Sequence, residues 1–336
     1  MPARPWPFST KRSAHSRPTR PTLAERRDGV SDPLGEHDNI VAGFQVEGRA
    51  VRGRVCRLGS TLDAILSAHA YPEPVAHLLG EAVIIAALVG DALKFNGRLI
   101  VQANGSGPIR FVVAEYVSGE GVRGFAKIDR EAVEAVLADN PPRDTLMERL
   151  LGKGAFAMTL DYGPDKDQYQ GVVPLEGASL SQVAEGYFAQ SEQTPTRLRI
   201  AIGESWKEGE ARAWRGGGAM LQQVAGDETR GSARDDWDHV RALYETVEDA
   251  ELLDPDLSAG NLLYRLFNED GVRLFEPAQI ARRCSCERER LLGIVASFPP
   301  EDRAEMETGG AIVMTCEYCN KDWGFGLEEV AAAASR

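Results

Sequence analysis

Apolar positions along the chain follow two rhythms, the alternation of strands and the three-to-four-residue recurrence of helices. Residues 40–57 read as strands, punctuated by Gly48 and Gly53. Ser60-Thr61-Leu62-Asp63 opens a helix with an acid in its first turn, and Tyr71-Pro72 stops it near Ala70. A second helix is predicted from Pro74 to about Phe95, apolar nearly all round and therefore buried. Its richest stretch, Leu78–Leu93, is interrupted by Glu81 and Asp91. It falls short of the roughly 20 residues that span a bilayer. Strands follow at Arg98–Ala103, Ile109–Val117 and Val122–Ile128, then a hairpin of Ala155–Tyr162 and Gln168–Val173 around Gly163-Pro164. Ser179 caps a short helix from Leu180, and Arg197–Ile202 is a further strand. There is no regular strand–helix–strand rhythm. The fold class is therefore α+β, an N-terminal α/β core over 38–226 with β-sheets and packed helices.

After Gly226 the pattern changes. Residues 227–256 are highly charged and helical in spacing, and Glu245 to Asp256 holds six acids and no base. Ser258 caps another helix through Leu262, Leu263, Leu266 and Phe267, and Pro277 suits the first turn of a short helix leading into Arg283. Residues 227–280 thus read as a helical linker. Its apolar stripe is thin and its acids repel one another, so alone it is metastable. A small segment, 281–330, follows. At the other end, the stretch before Glu25 has five basic residues, five prolines and no acid. Residues 1–37 have the composition of a disordered basic extension and lack the apolar core of a secretory signal.

Composition narrows the function. A chain of 336 residues, 43% hydrophobic and 26% charged, has room for about two domains and a sizeable core. With 38 basic against 51 acidic residues the net charge is -13, which repels phosphate backbones and argues against nucleic acid or a membrane surface as partner. Five cysteines are few for a secreted disulfide scaffold, and four of them lie between 284 and 319. The fifth, Cys56, reads as a small packed hydrophobe on a strand. His69 and His77 read as helix-surface or packing side chains. Gly216-Gly217-Gly218 lacks the frame of a phosphate loop. The acidic run reads as a solvated helix face.

The segment 281–330 carries the chemistry. Cys284-Ser285-Cys286 is followed, after 29 intervening residues, by Cys316-Glu317-Tyr318-Cys319. Two thiolate pairs joined by a loop can converge on one tetrahedral ion, and four soft sulfurs with no open position suit Zn²⁺ rather than a catalytic metal. Gly309 and Gly310 let the chain turn back, and Val313–Cys316 reads as a strand entering the second pair, as in a zinc knuckle. Four buried free cysteines are the plain alternative, but two tight pairs in a short charged segment are not a packing pattern. A purely structural zinc is the stronger competitor. Yet a disulfide within C-x-C is possible though strained, and C-x-x-C is a redox spacing. Arg282, Arg283, Arg288 and Arg290 around the first pair favour thiolates, the oxidisable form. An oxidant can convert such ligands into disulfides and expel the metal. The module then loses folding energy on the order of 10 kcal/mol, and a marginal linker beside it can unfold too.

These residues resemble the heat shock protein 33 family, the redox-regulated holdase chaperones of bacteria. The two cysteine motifs, with Cys286-Glu287-Arg288-Glu289-Arg290, match the family's zinc signature. Further matches are Gly53 between Arg52 and Arg54, Tyr71-Pro72, Lys94 and Arg123-Gly124-Phe125-Ala126. The runs Tyr187 to Thr196, Gly217 to Gln222 and Asp236-Trp237-Asp238-His239 match as well. Together they cover about residues 38–328. Glu287 stands where relatives often carry Ser, which spares every sulfur, and the extension before Asp38 is outside the family pattern. The resemblance implies a cytoplasmic chaperone, not an enzyme, with one Zn²⁺ on Cys284, Cys286, Cys316 and Cys319 in the reduced, inactive form. It implies that oxidative stress closes disulfides Cys284–Cys286 and Cys316–Cys319, releases zinc, unfolds the linker and brings two copies together as a homodimer. The active form then holds unfolded or misfolded client proteins against aggregation and later passes them to ATP-dependent foldase chaperones. Two other classes stay open on the residues alone. A thiol-disulfide oxidoreductase working through Cys316 and Cys319 usually needs a thioredoxin-like βαβ context. A zinc-ribbon nucleic-acid-binding protein is opposed by charge, since residues 282–326 hold 8 acids against 6 bases.

Overall fold

Alternating residues around Gly48 fold back on themselves. Strands β1 (Ile40–Val46) and β2 (Val51–Leu58) pair antiparallel, and Gly48 sits in their turn at φ 70°. The structure is a computed structural model that describes residues 38–93, 96–163, 166–206, 211–224 and 233–335. The basic extension expected over 1–37, Lys94 and Pro164 lie outside these residues. Helix α1 (Ser60–Leu66) runs on as a 3₁₀ turn to His69, and α2 (Glu73–Ala92) starts with Pro74 in its first turn. Strands β3 (Arg98–Gly105), β4 (Ile109–Val117) and β5 (Gly121–Ile128) form a meander. Two helices that the periodicity did not signal follow, α3 (Arg130–Ala138) and α4 (Arg143–Leu151). Then come β6 (Gly154–Asp161), β7 (Tyr169–Pro174), α5 (Leu180–Ser191), β8 (Thr196–Ser205) and β9 (Ala213–Gln223). Ser179 caps α5 as its sequence indicated, its Oγ accepting from Gln182 N at 3.3 Å.

Two antiparallel sheets result. One has the order β5-β4-β3-β6-β7, and the other contains β1-β2-β9-β8. Helix α2 packs against strands of both, so it is buried on opposite faces at once. At 20 residues it is, contrary to the sequence reading, long and apolar enough on those measures alone to cross a bilayer, but 83% of its apolar window is buried inside the protein. The three glycines of β9 have a packing cause. A Cβ on Gly216 or Gly218 would meet Leu62 or Ile84 at 2.6 or 2.5 Å, and one on Gly217 would meet the Leu252 carbonyl oxygen at 2.2 Å on the other face. Helices press on both sides of a strand that has no side chains there.

The charged region folds onto the outer face of that second sheet. It forms α6 (Ala233–Tyr244), α7 (Asp249–Leu253) and α8 (Ala259–Phe267), the last capped by Ser258, as the sequence indicated. Its apolar stripe is wider than the run of acids suggested. Trp237, Val240, Tyr244, Leu252, Leu262, Leu263 and Phe267 cover Ile40, Phe44, Val55 and Leu221 of the sheet. The helix expected at Pro277 is absent; the chain instead forms β10 (Val272–Leu274) and β11 (Ala278–Gln279), both paired to β1. Proline suits such an edge, where one N–H is not needed. The acids also have partners. Asp249 pairs with Arg199 at 2.9 Å and Glu251 with Arg265 at 2.6 Å. Buried Arg57 of β2 donates to the carbonyls of Asp254 and Leu257. Asp236 accepts from Ala50 N, and Arg49 and His239 both reach Asp270, at 2.7 and 2.8 Å.

Two expected outcomes test this packing. Gly218→Ala should cost about 1–3 kcal/mol by overpacking, read as a lowered urea midpoint. Its combination with Ile84→Ala should cost less than the sum of the single changes. Burial on α2 pushes the Glu81 carboxyl up from its ordinary 4.5 to about 7, against the pull of the Leu180 and Ser181 N–H groups. An acid raised in the folded state holds its proton more tightly there than when unfolded, so its contribution falls as pH rises from 4.5 to about 7. Urea unfolding across that range should therefore show wild type losing ground to Glu81→Gln.

Candidate metal centre

After β11 the chain crosses residues 280–287 without helix or regular strand. It then forms α9 (Arg288–Ala296), α10 (Pro300–Met306), β12 (Glu307–Thr308), β13 (Ala311–Thr315), β14 (Asp322–Gly326) and α11 (Leu327–Ala334). Gly309 and Gly310 turn β12 into β13 at φ 62° and 86°, as the sequence indicated. The module's own core is small, comprising Val295, Ile312, Phe325 and Val330.

Each cysteine pair is placed by backbone hydrogen bonds. The second lies in the tip of the β13–β14 hairpin. There Cys316 N donates to the Lys321 carbonyl at 3.0 Å and Asn320 N to the Cys316 carbonyl at 2.8 Å, with Asn320 left-handed at φ 56°. That is the knuckle expected from the spacing. The first pair follows a short bridge to β5, in which Val122 N donates to the Ala281 carbonyl and Arg283 N to the Val122 carbonyl. The approach is so close that a Cβ on Gly121 would lie 2.0 Å from the Ala281 oxygen.

The fold brings Cys284, Cys286, Cys316 and Cys319 together, their sulfurs all within 4.8 Å of one another. Sγ separations are 3.1 Å for Cys284–Cys286, 3.6 Å for Cys284–Cys316 and 3.4 Å for Cys286–Cys319. Four sulfurs about 2.3 Å from one tetrahedral Zn²⁺ stand about 3.8 Å apart. The separations here are somewhat shorter than that, and the all-sulfur chemistry fits that ion. Among the described residues no other group of His, Cys, Asp and Glu converges in this way. Cys56 is buried in β2, where burial pushes its thiol up. His69 stacks on Tyr71 at 5.0 Å and bonds the Tyr318 and Glu317 backbone, while His77 meets Trp214 edge-on at 5.7 Å and lies 3.7 Å from Glu73.

Proton affinity within the cluster is uneven. Burial pushes the Cys284 and Cys319 thiols up. At Cys286 burial acts the same way, but hydrogen bonds from Cys284 and Cys319 outweigh it and the thiol is lowered. The arginines expected to favour thiolates are partly committed elsewhere. Arg283 pairs with Glu120, and Arg288 pairs with Glu329 at 2.7 Å. Arg290 and Arg123 both donate to Ser285 Oγ, at 3.2 and 3.0 Å.

Strand β5 is the surface that receives the module. Phe125 packs against Tyr318 with ring centroids 4.8 Å apart, the Arg123 guanidinium lies 4.0 Å over the Tyr318 ring, and the Tyr318 hydroxyl donates to Glu115. Asn320 Nδ2 donates to the Ala68 carbonyl at 2.9 Å. The Tyr71 hydroxyl, bonded to both backbone groups of Ala126, braces the same strand. Sequence reasoning missed Glu115 altogether. It noted Arg123 and Phe125 only as matching residues, because their partner lies almost 200 residues away.

A mixed α+β core that receives a four-cysteine knuckle module defines the class of protein. The Hsp33 protein family profile matches residues 39–326. A 33 kDa chaperonin of Caulobacter vibrioides (strain NA1000 / CB15N) is 51% identical over 295 residues, spanning 87% of this chain and 96% of that protein. A 33 kDa chaperonin of Serratia proteamaculans (strain 568) is 37% identical over 300 residues, spanning 89% and 96%. The crystal structure of a 33 kDa chaperonin (heat shock protein 33 homolog) from Thermotoga maritima shares the fold. Its TM-score is 0.69 at 23% identity, over 88% of this chain and 98% of that one. The chain belongs to the Hsp33 family.

Removing the sulfurs tests the centre. Cys316→Ser with Cys319→Ser should abolish tight zinc binding in a metal assay of thiol-protected protein. The double variant should also lose hydrogen-exchange protection across 288–334, since four buried apolar side chains do not sustain the module.

Proposed function

We propose that the chain is a redox-regulated holdase that works in the bacterial cytoplasm, binding unfolding proteins and preventing their aggregation under oxidative stress. The observation that carries this reading is the placement of an oxidisable four-sulfur cluster just beyond the segment that covers one apolar face of the core. The proposed organisation is a core over 38–226, a metastable helical linker over 227–280 and a zinc-binding redox-switch domain over 281–330. In the reduced form Cys284, Cys286, Cys316 and Cys319 hold one Zn²⁺, which supplies the cross-link that keeps the module folded. Peroxide is the oxidant. The four thiolates give up four electrons, two for each disulfide, Cys284–Cys286 and Cys316–Cys319. Two peroxide molecules take up those electrons and four protons and leave as four waters. Disulfide sulfurs have no thiolate charge to hold the ion, so the ligand set is lost.

The consequence for the core follows from packing. Once the module unfolds, residues 280–287 lose their anchor on β5 and the linker loses its C-terminal tether. Phe44, Val55 and Leu221 then stand open to the apolar segments of client proteins. The acidic surface favours no nucleic acid, and Cys316 and Cys319 sit in a hairpin tip rather than in a βαβ unit, which weighs against the zinc-ribbon and oxidoreductase readings. The binding role needs no catalytic residue. Two oxidised copies pair as a homodimer, and clients pass onward to ATP-dependent foldase chaperones.

Peroxide with mild heat should release one zinc per chain and switch on suppression of a thermally aggregating client. If oxidised, zinc-free protein leaves aggregation unchanged, the holdase reading is wrong. Mass spectrometry of the alkylated oxidised chain should find the two local disulfides and none between the pairs. Phe267→Ala, which weakens the linker's hold on the sheet by about 3–5 kcal/mol, should give measurable activity in the reduced protein.

A further inference from the structure

We propose that Arg123 is a shared receiver for both cysteine pairs, with Tyr318 as the latch that joins the second pair to the core. The regulatory meaning of this role rests on the redox-switch reading above; its structural part does not. Ser285 is the residue enclosed by Cys284 and Cys286, and Tyr318 is enclosed by Cys316 and Cys319. One guanidinium touches both. Arg123 Nη1 donates to Ser285 Oγ at 3.0 Å, and the group lies 4.0 Å over the Tyr318 ring. The same guanidinium is fixed from below by Glu115, whose Oε2 accepts from Nε and Nη2 at 3.1 and 2.7 Å. The other Glu115 oxygen accepts from the Tyr318 hydroxyl. Glu115 is only 5% exposed, so this triad lies under the module rather than at its rim.

The second loop is also held by Phe125 against the Tyr318 ring, by His69 on the Tyr318 and Glu317 backbone, and by Asn320 on the Ala68 carbonyl. Lys127 and Glu317, 3.6 Å apart, are each about 60% exposed, and such pairs contribute little. Closing a disulfide draws two sulfurs to about 2.05 Å, well inside the 3.1 Å of the nearest pair here. Ser285 and Tyr318 each lie between the two sulfurs of their pair, so they are the core contacts nearest to the closing bonds. On the proposal, oxidation of either pair loosens a partner of Arg123. The centre thus reaches the core through side chains enclosed by the cysteines, in addition to the tether at 280–283.

The test uses the full-length, reduced, zinc-loaded chain without oxidant. Tyr318→Ala and Arg123→Ala should each keep one zinc per chain. Amide exchange at 121–127 and protease cleavage within 280–287 should be at least tenfold faster than in wild type. Tyr318→Phe, which keeps the ring and loses the hydroxyl, should fall between, and Lys127→Ala should match wild type. Wild-type protection in either alanine variant overturns the proposal. So does loss of zinc from Arg123→Ala, because the residue would then serve the metal site itself. A wild-type chain without zinc or without a peroxide response sinks the switch reading instead, and leaves the docking result standing on its own.

Discussion

Four sulfurs gathered within 4.8 Å join the stretch before α9 to the tip of the β13–β14 hairpin. The module fully buries four apolar side chains, with five more partly buried around them, a small core against the entropy of ordering some fifty residues. On the zinc reading proposed above, its persistence is set by ligand chemistry more than by packing. That dependence extends inward, because residues 280–283 hang on β5 through a short bridge that leads directly into the first cysteine pair.

The cover over the second sheet is held by two kinds of force that respond differently to solvent. The ion pairs of Asp249 and Glu251 are half-exposed, and such pairs contribute about 0–1 kcal/mol each and weaken with salt. Burial of a side chain such as Phe267 contributes about 1.5–3 kcal/mol, so apolar contact decides whether the cover stays. The charged groups set register. Arg57 reaches two specific carbonyls, and the Tyr244 hydroxyl accepts from Arg199 N and donates to the Ala219 carbonyl, which permits one seating of the helices.

What could be read beforehand depended on the range of the interactions involved. Caps at Ser179 and Ser258, the turn at Gly309-Gly310 and the convergence of four cysteines are local or carried by spacing, and each was legible. Strand β9 was not, because its glycines carry no alternation; they exist to let Ile84 and Leu252 approach from opposite sides. The segment around Pro277 was read as helical because proline is equally at home in a first turn and on a sheet edge. Only the pairing of Val46 with Val272 and of Ile40 with Gln279 distinguishes the two. The triad of Glu115, Arg123 and Tyr318 joins distant parts of the chain, and no window along the sequence contains it.

Strand β1 has one further consequence. Its outer side is occupied by β10 and β11, with Phe275 N and Ile280 N also bonded to the Gly43 and Asn39 carbonyls. The stretch 272–280 is thus a hem on an otherwise unguarded border. Stripped of it, β1 would offer a row of vacant amides and carbonyls along Ile40–Val46, a template on which any extended chain can lie down irrespective of its side chains.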